Sequence, residues 1–286
     1  MRWWDVRSTR ERFTIPELPE VETVRRELEP WLTGRVILAA RRVEAPPGPK
    51  YAGLERAEGQ SVRAVTRRGK FLILPLGDGD ELVIHLGMTG VITPVEPGKH
   101  LRVKLELDGG ERPVLYFRDP RRFGRFLVVA AGDYRSLPTL RALGPEPLSE
   151  DFTVAGFRAA LRRSSALIKS YLLAQKPVAG VGNIYADEAL WRVRIHPLTP
   201  AKQIAGSRVA ALRDAIRRVL AESLAAQGTT LNDYRTVDGE VGTYGEALAV
   251  YGHAGEPCPR CGSEIGKITV GGRGSHFCPR CQRRSV

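Results

Sequence analysis

The pattern of apolar and polar positions divides the chain into three regions. Residues 17–33 carry apolar side chains at helical spacing, including Val21, Val24 and Leu28, and Gly34 is a plausible stop. Six short β-like runs follow, separated by Gly, Pro and Asp-Gly pairs. They cover residues 36–43, 70–76, 81–87, 101–107, 113–117 and 125–130. We therefore predict a helix followed by an antiparallel sandwich or barrel over about residues 35–132.

The pattern changes near residues 143–152, where one glycine and two prolines indicate a linker. From there to about residue 226 the apolar spacing is helical, and the last helical segment, 207–227, is the longest. Residues 228–250 are rich in Gly, Thr and Asp with little periodicity, which predicts a mobile loop. No run of about 18 apolar residues occurs, so we expect no membrane span.

The composition of the chain also predicts which class of partner it binds. The chain has 286 residues, 42% of them hydrophobic, which allows two domains and a substantial core. Its formal net charge is +12, mostly from arginine, whose planar fork donates two hydrogen bonds to a phosphate. This balance predicts attraction to nucleic acid or to an anionic membrane surface, and simple solubility is the alternative explanation.

The four cysteines form two Cys-x2-Cys pairs separated by sixteen residues. Each pair places two thiolates on one tight turn, and two such turns close a tetrahedral zinc site. Because four protein ligands leave no open position, we expect one structural Zn²⁺ rather than a catalytic one. The segment between the pairs predicts a β-hairpin with a glycine-rich tip that holds Arg273. The predicted ligands are Cys258, Cys261, Cys278 and Cys281.

Three further stretches carry a family resemblance: PELPEVE at 16–22, DPRRFG at 119–124 and GVGNIYADE at 180–188. With the cysteine module they closely resemble the bacterial formamidopyrimidine-DNA glycosylase family, from Pro16 to about Cys281. The related endonuclease VIII-type enzymes share the architecture but usually lack the PELPEVE form, so we favour the branch that removes oxidised purines. The resemblance implies an α+β fold: an N-terminal β-sandwich with flanking helices, a helical helix-two-turn-helix domain and a zinc-finger β-hairpin.

The resemblance also implies a reaction centre at Pro16. In this family an N-terminal proline attacks C1′ of the damaged nucleotide, and the resulting iminium is an electron sink for strand cleavage. Glu17 matches the acid/base residue, Lys70 the proton donor of β-elimination and Arg273 the residue of δ-elimination. Proline suits this role because its iminium carries a positive charge without needing a proton, and a terminal amine titrates near neutrality.

Other matches to the family concern DNA. Met88, Arg121 and Phe123 match the residues that fill the space left by an extruded nucleotide. His100 and Asn183 match phosphate contacts, Lys169 is a further candidate contact, and Glu20 matches a third family acid. Loop 228–250 matches the lesion-recognition loop, in which Thr229, Thr230 and Tyr234 are candidate contacts to the flipped base.

These matches predict the following organisation. Residues 16–142 form the catalytic domain, 143–250 the helical DNA-binding domain and 251–286 the zinc finger. We expect a monomeric, cytoplasmic, nucleoid-associated enzyme whose partner is double-stranded DNA with oxidised bases or abasic sites, and no membrane. Two alternatives stay open: an endonuclease VIII-like enzyme for oxidised pyrimidines, and a DNA-binding zinc protein without catalysis.

The last alternative rests on residues 1–15, which precede the proline. A proline nitrogen bonded to Ile15 is a tertiary amide and has no nucleophilic lone pair. We therefore expect the active chain to begin at Pro16, with the extension either removed or never translated. The extension contains no apolar stretch of the signal-peptide type.

Overall fold

The computed structural model describes residues 15–231 and 234–284. Its elements, in chain order, are α1 (Leu18–Leu32), β1 (Ile37–Arg42), β2 (Thr66–Arg68), β3 (Phe71–Pro75), β4 (Asp80–His85), β5 (Val91–Thr93), β6 (Leu101–Leu107), β7 (Val114–Arg118), β8 (Arg125–Ala130), α2 (Pro138–Arg141), α3 (Val154–Arg162), α4 (Ile168–Leu173), α5 (Asn183–Arg192), α6 (Gly206–Ala225), β9 (Gly266–Val270) and β10 (Arg273–Phe277).

The first half is a sandwich of two four-stranded antiparallel sheets. One sheet has the order β1-β6-β7-β5 and the other β2-β3-β4-β8. Alternate residues of β3 point to opposite faces, so Leu72 and Leu74 enter the core between the sheets while Phe71 and Ile73 pack under Leu137 on the outer face. Burial on both faces explains why β3 reads as a continuous apolar run. The predicted sandwich is confirmed.

Local chemistry explains the boundaries of α1. Glu17 precedes the helix as its N-cap, and Pro19 lies in the first turn, where the missing N–H costs no helical hydrogen bond. The Glu17 N–H donates to the Glu20 carboxylate at 2.8 Å. The predicted helix 17–33 is therefore confirmed to within one residue at each end. The sequence did not predict strands β2 and β5, because each has only three residues, too few to show a period of two.

The second half is helical, and its core is built from α3, α4, α5 and α6. Leu18 of α1 belongs to this core rather than to the sandwich core, so α1 joins the two halves. The zinc-finger segment ends the chain as the antiparallel hairpin β9–β10, as predicted. Within the described residues, no helix is both long enough and apolar enough to cross a membrane.

Three parts of the predicted organisation lie outside the described residues. They are residues 1–14 of the extension, Asn232 and Asp233 of the loop, and Ser285 and Val286 at the end of the zinc-finger domain. The boundaries predicted for the domains therefore stay predictions.

Candidate active site

The N-terminus of α1 is fixed against the turn that precedes α5. The Leu18 N–H donates to the Gly180 carbonyl at 3.1 Å. Gly180 has a φ of +77°, and a Cβ on it would lie 2.5 Å from the Leu18 side chain. Only glycine allows this approach. The contact places Pro16 and Glu17 at the junction of the two halves.

Glu17 is buried in this junction and is held by backbone amides. Its two carboxylate oxygens accept hydrogen bonds from Gly182 N–H at 2.7 Å and from Ile184 N–H at 2.8 Å, at the start of α5. Burial raises the pKa of Glu17 to about 7, although Lys70 and the two amides act in the opposite direction. A carboxyl group with this pKa exchanges a proton near neutrality, which general acid/base chemistry requires.

Lys70 extends from the sandwich towards the Glu17 carboxylate. It is 7% exposed, in the turn between β2 and β3. Burial lowers its pKa, Glu17 and Glu20 oppose that shift, and Arg273 adds to it. A Cβ on Gly182 would overlap both the Lys70 Nζ and the Glu17 Cδ. Gly182 therefore lets the carboxyl and amino groups converge at one place.

These groups line a pocket of about 180 Å³. His85 lies on its wall, with its ring 4.6 Å from that of Phe71, and burial followed by the charge of Lys70 lowers its pKa to about 3. Pro16 is buried, and Ile15, bonded to its nitrogen, is among the lining residues. The full lining is Ile15, Glu17, Lys70, His85, Leu173, Gln175, Gly182, Asn183, Tyr251 and Arg273.

The zinc-finger hairpin delivers Arg273 to this pocket. Gly271 and Gly272 at its tip have φ values of +57° and +75°, the conformation of a tight two-residue turn. A Cβ on Gly271 would lie 2.9 Å from the Ser170 Oγ of α4, so the tip sits closely on the helical domain. Arg273 follows the turn as an exposed side chain on the pocket wall.

Asn183, the first residue of α5, connects the hairpin with the pocket. Its Nδ2 donates to the Gly274 carbonyl at 3.1 Å and to the Tyr251 hydroxyl at 3.4 Å. Its Oδ1 is buried and has no partner among the described residues. An orphaned polar atom beside a pocket indicates that a ligand or water completes the site.

Three family models match successive parts of the chain. The formamidopyrimidine-DNA glycosylase N-terminal domain matches residues 15–126, and its H2TH domain matches residues 143–235. The zinc finger found in FPG and IleRS matches residues 255–284. The formamidopyrimidine-DNA glycosylase of Deinococcus radiodurans is 49% identical over 281 residues, covering 94% of this chain and 97% of the relative. That of Thermus thermophilus is 48% identical over 270 residues, covering 94% and 98%.

The chain belongs to the formamidopyrimidine-DNA glycosylase family. Solved structures of the family have the same fold. The crystal structure of the MutM (Fpg) protein from Thermus thermophilus has a TM-score of 0.88 at 47% identity, covering 95% of this chain and 100% of that one. A Lactococcus lactis FPG mutant in complex with DNA containing Fapy-dG has a TM-score of 0.83 at 38% identity, covering 94% and 100%.

The four cysteines of this glycosylase-family chain fit the predicted zinc. Their Sγ atoms all lie within 4.8 Å of one another. Zn–S bonds of about 2.3 Å in a tetrahedron require this spacing. Cys258 and Cys278 are buried with Val250 and Ile265 in a small core, so the metal would hold together the module that presents Arg273.

The structure also brings the predicted void-filling residues into neighbouring loops. A Cβ on Gly87, beside Met88, would lie 2.6 Å from the Phe123 carbonyl carbon, so the two loops touch. The Arg121 N–H donates to the Thr89 hydroxyl at 3.3 Å, and the Arg121 guanidinium lies 5.0 Å from the Phe123 ring centroid. Phe123 is 48% exposed, whereas Met88 is half-buried.

His100 lies beside the same loops. It is exposed with a φ of +67°, and its carbonyl accepts a hydrogen bond from Asp119 N–H at 3.0 Å. Asp119 in turn holds the Phe123 loop through Gly124 N–H at 2.7 Å. This position is compatible with the predicted phosphate contact, which stays a prediction.

Two predicted DNA contacts lie in the interior. Lys169 is fully buried, and its Nζ bonds the Asp187 carboxylate and, at 3.3 Å, the Asn183 carbonyl. Glu20 is 2% exposed and accepts from Thr229 N–H at 2.7 Å and from the Tyr185 hydroxyl. Because neither side chain reaches the surface, the prediction that they contact DNA directly is wrong. Lys169 instead supports Asn183, and Glu20 supports the 228–250 loop through Thr229.

The described residues of the 228–250 loop form more backbone and side-chain contacts than the predicted mobile loop would have. Thr229 forms a bridge with Thr243, and residues Tyr244–Ala247 form a 3₁₀ turn. Thr229 and Tyr234 are buried, and the Tyr234 hydroxyl donates to the Glu20 carbonyl at 3.2 Å. Thr230 is half-buried and remains the more accessible of the three predicted base contacts.

Sequence reasoning missed two polar residues of the pocket, Gln175 and Tyr251. Gln175 has a φ of +55°, and its Oε1 accepts from Gly180 N–H at 2.8 Å, which fixes the turn that carries Gly182. Tyr251 contributes its hydroxyl to Asn183 and packs edge-on against His276, with ring centroids 4.9 Å apart. Neither stands in a motif, so only the fold identifies them.

Proposed function

We propose that the chain, once its terminus is Pro16, is a bifunctional DNA glycosylase and abasic-site lyase for oxidised purines. The observation that carries the proposal is the convergence of Glu17, Lys70 and Arg273 on the pocket next to the Pro16 nitrogen. Membership of the glycosylase family supports the reaction class, and the complexes of relatives with lesion-containing DNA support the substrate class.

The first step forms a bond from the Pro16 nitrogen to C1′ and breaks the bond from C1′ to the base. The sugar ring opens, and the product is an iminium between Pro16 and C1′. Two protons are needed, one on O4′ and one on the departing base; the proline N–H supplies one and the Glu17 carboxyl the other. The pKa of Glu17, about 7, keeps part of the population protonated near neutrality.

Strand cleavage follows from the iminium, which accepts the electron pair left when a proton leaves C2′. The 3′ phosphate then departs, and loss of a C4′ proton expels the 5′ phosphate. Lys70 carries protons in these steps, and the lowering of its pKa by burial supports this role. Arg273 holds the phosphate with its charge. Water hydrolyses the final iminium, which leaves an aldehyde at C1′ and frees the Pro16 amine.

An intact Ile15–Pro16 peptide bond blocks this chemistry. Ile15 lines the pocket. While Ile15 is bonded to Pro16, the Pro16 nitrogen is an amide and cannot attack C1′, so we expect the extended chain to bind DNA without cleaving it. The active form therefore begins at Pro16. A duplex substrate would also place it with the nucleoid in the cytoplasm.

The experiment compares two preparations, one beginning at Met1 and one at Pro16. Each is incubated with duplexes that contain 8-oxoguanine opposite cytosine or thymine glycol. The proposal expects excision of 8-oxoguanine by the Pro16 form, with a gap bearing phosphates on both sides. Preference for thymine glycol would favour the endonuclease VIII-like alternative, and no excision by either form would favour a non-catalytic protein.

A further inference from the structure

A second concentration of positive charge lies at the far end of the zinc-finger hairpin. Five arginines and the zinc-ligating residues Cys261 and Cys281 line an open pocket of about 520 Å³. We call it the arginine pocket; its arginines are Arg194, Arg208, Arg260, Arg280 and Arg283. It is separate from the catalytic pocket, because none of the described residues lines both.

Two of these arginines are fixed by the end of α5. The Arg260 guanidinium donates to the Trp191 carbonyl at 3.0 Å and lies 4.1 Å from the Trp191 ring centroid. Arg208 donates to the Val193 and Arg194 carbonyls at 2.7 and 2.8 Å. Each guanidinium has five N–H donors, so both keep donors beyond these bonds. Their positions are set before any ligand arrives.

The other three arginines are exposed and have no side-chain hydrogen bond or ion pair within residues 15–231 and 234–284. They are Arg194, Arg280 and Arg283. In the part of the chain that the structure describes, no carboxylate lines the pocket. Like charges gathered without a counterion repel one another, so such a cluster is characteristic of a surface that receives an anion.

The negative charge of the zinc site balances only part of the positive charge of the five arginines. Four thiolates and one Zn²⁺ carry about −2 in total. Five guanidiniums beside them leave an excess of about +3. The excess needs an external anion, and the fork of arginine fits the oxygens of a phosphate.

The distance between the arginine pocket and Arg273 favours the backbone of bound DNA as the ligand that carries this phosphate. Strand β10 runs from Arg273 at the catalytic pocket to Phe277, next to Cys278. From its first residue to its fifth the strand spans about 13 Å, at about 3.3 Å per residue. A duplex held at Arg273 is a rod with one charge per about 1.7 Å, so its flanking backbone extends well beyond this distance.

We propose that the arginine pocket binds the phosphodiester backbone of duplex DNA outside the lesion site. It would add a sequence-independent contact that lengthens the footprint of the protein on DNA. The contact does not depend on the Pro16 chemistry, because it needs neither a lesion nor a free terminal amine.

The test measures the salt dependence of binding to undamaged duplexes of about 30 and about 10 base pairs. The variant is Arg280→Gln/Arg283→Gln, and the control is Arg41→Gln/Arg42→Gln, which removes the same charge from exposed positions on β1. Zinc content per chain is measured for every protein, and inorganic phosphate is a separate competitor.

The proposal expects the slope of log K against log salt to fall by about 2 in magnitude for the pocket variant on the long duplex only. The control pair keeps the wild-type slope, and zinc content stays at one per chain in both. A slope equal to that of the control would overturn the proposal, as would saturable phosphate binding without any change in slope. If the variant loses zinc, the single variant Arg194→Gln, distant in sequence from the cysteines, takes its place with an expected change of about 1.

Discussion

The Glu17 carboxylate and the Gly182 backbone are in direct contact across 165 residues of sequence, with a hydrogen bond of 2.7 Å from Gly182 N–H. A Cβ at position 182 would overlap the Glu17 Cδ. The contact therefore needs glycine for its space as well as for its amide. It links the first residues of the catalytic domain to the first turn of α5.

Gly182→Ala should displace both Glu17 and Lys70. Small misplacements of reacting groups cost about 100-fold in rate, so we expect a loss of that order in single-turnover excision by the Pro16 form. Gly98→Ala is the matched control, because a Cβ at Gly98 meets nothing within 4 Å. Excision by Gly182→Ala at the rate of the control would contradict the proposed geometry.

The pKa of Glu17 predicts how stability depends on pH. Folding raises this pKa from 4.5 to about 7, so between these values the native state binds more protons than the unfolded state. The free energy of unfolding therefore falls as pH rises through this window, by about 3 kcal/mol from this group. Burial also raises the pKa of Glu20, which acts in the same direction.

Glu17→Gln should remove the contribution of this residue. We expect urea unfolding at pH 5 and pH 8 to show a smaller loss of stability with rising pH than in the wild type. Glu111→Gln, at an exposed position, is the control and should follow the wild type. Equal pH dependence in all three proteins would show that Glu17 titrates at its ordinary value.

The buried pair of Lys169 and Asp187 predicts a strong coupling. Lys169→Met leaves the Asp187 charge uncompensated in the interior, which typically costs about 3–5 kcal/mol. Lys169→Met/Asp187→Asn should recover much of that loss, because the uncompensated charge is gone. Urea unfolding of the two single variants and the double variant measures the coupling, and strictly additive effects would refute it.

Phe123 should matter for activity and little for stability. Its ring is 48% exposed, so Phe123→Ala should change the free energy of unfolding by about 0.5 kcal/mol or less. In the predicted void-filling role, the Phe123 ring offsets the cost of unstacking the duplex, which is a few kcal/mol. On that prediction, Phe123→Ala should lower the rate of excision at least about tenfold. Val95→Ala removes a more exposed apolar side chain, 72% accessible, and should leave excision unchanged.

The sequence predicted the sandwich, the helix that begins at Leu18 and the zinc hairpin, because each depends on local periodicity or ligand spacing. It did not distinguish surface cations and acids from buried ones. Lys169 and Glu20 have polar side chains whose partners, Asp187 and Thr229, become neighbours only in the tertiary fold. The sequence did not identify Tyr251 as a pocket residue for the same reason, because its contact with Asn183 exists only in the folded chain.

The residues in the family motifs, in contrast, were expected to lie together. Glu17, Asn183 and Arg273 stand in three segments far apart in sequence, yet they line one pocket. Family resemblance carried this information, since no periodicity in the chain implies it. Ile15 in the same pocket is the feature that resemblance alone left unexplained.

Borohydride trapping on an 8-oxoguanine duplex tests whether Pro16 is the nucleophile. We predict that the form beginning at Pro16 gives a covalent protein–DNA adduct, and that peptide mass analysis places the adduct on Pro16. The form that keeps residues 1–15 should give none. An adduct of equal yield from the extended form, or an adduct on Lys70 in the Pro16 form, would contradict the assignment of Pro16 as the nucleophile.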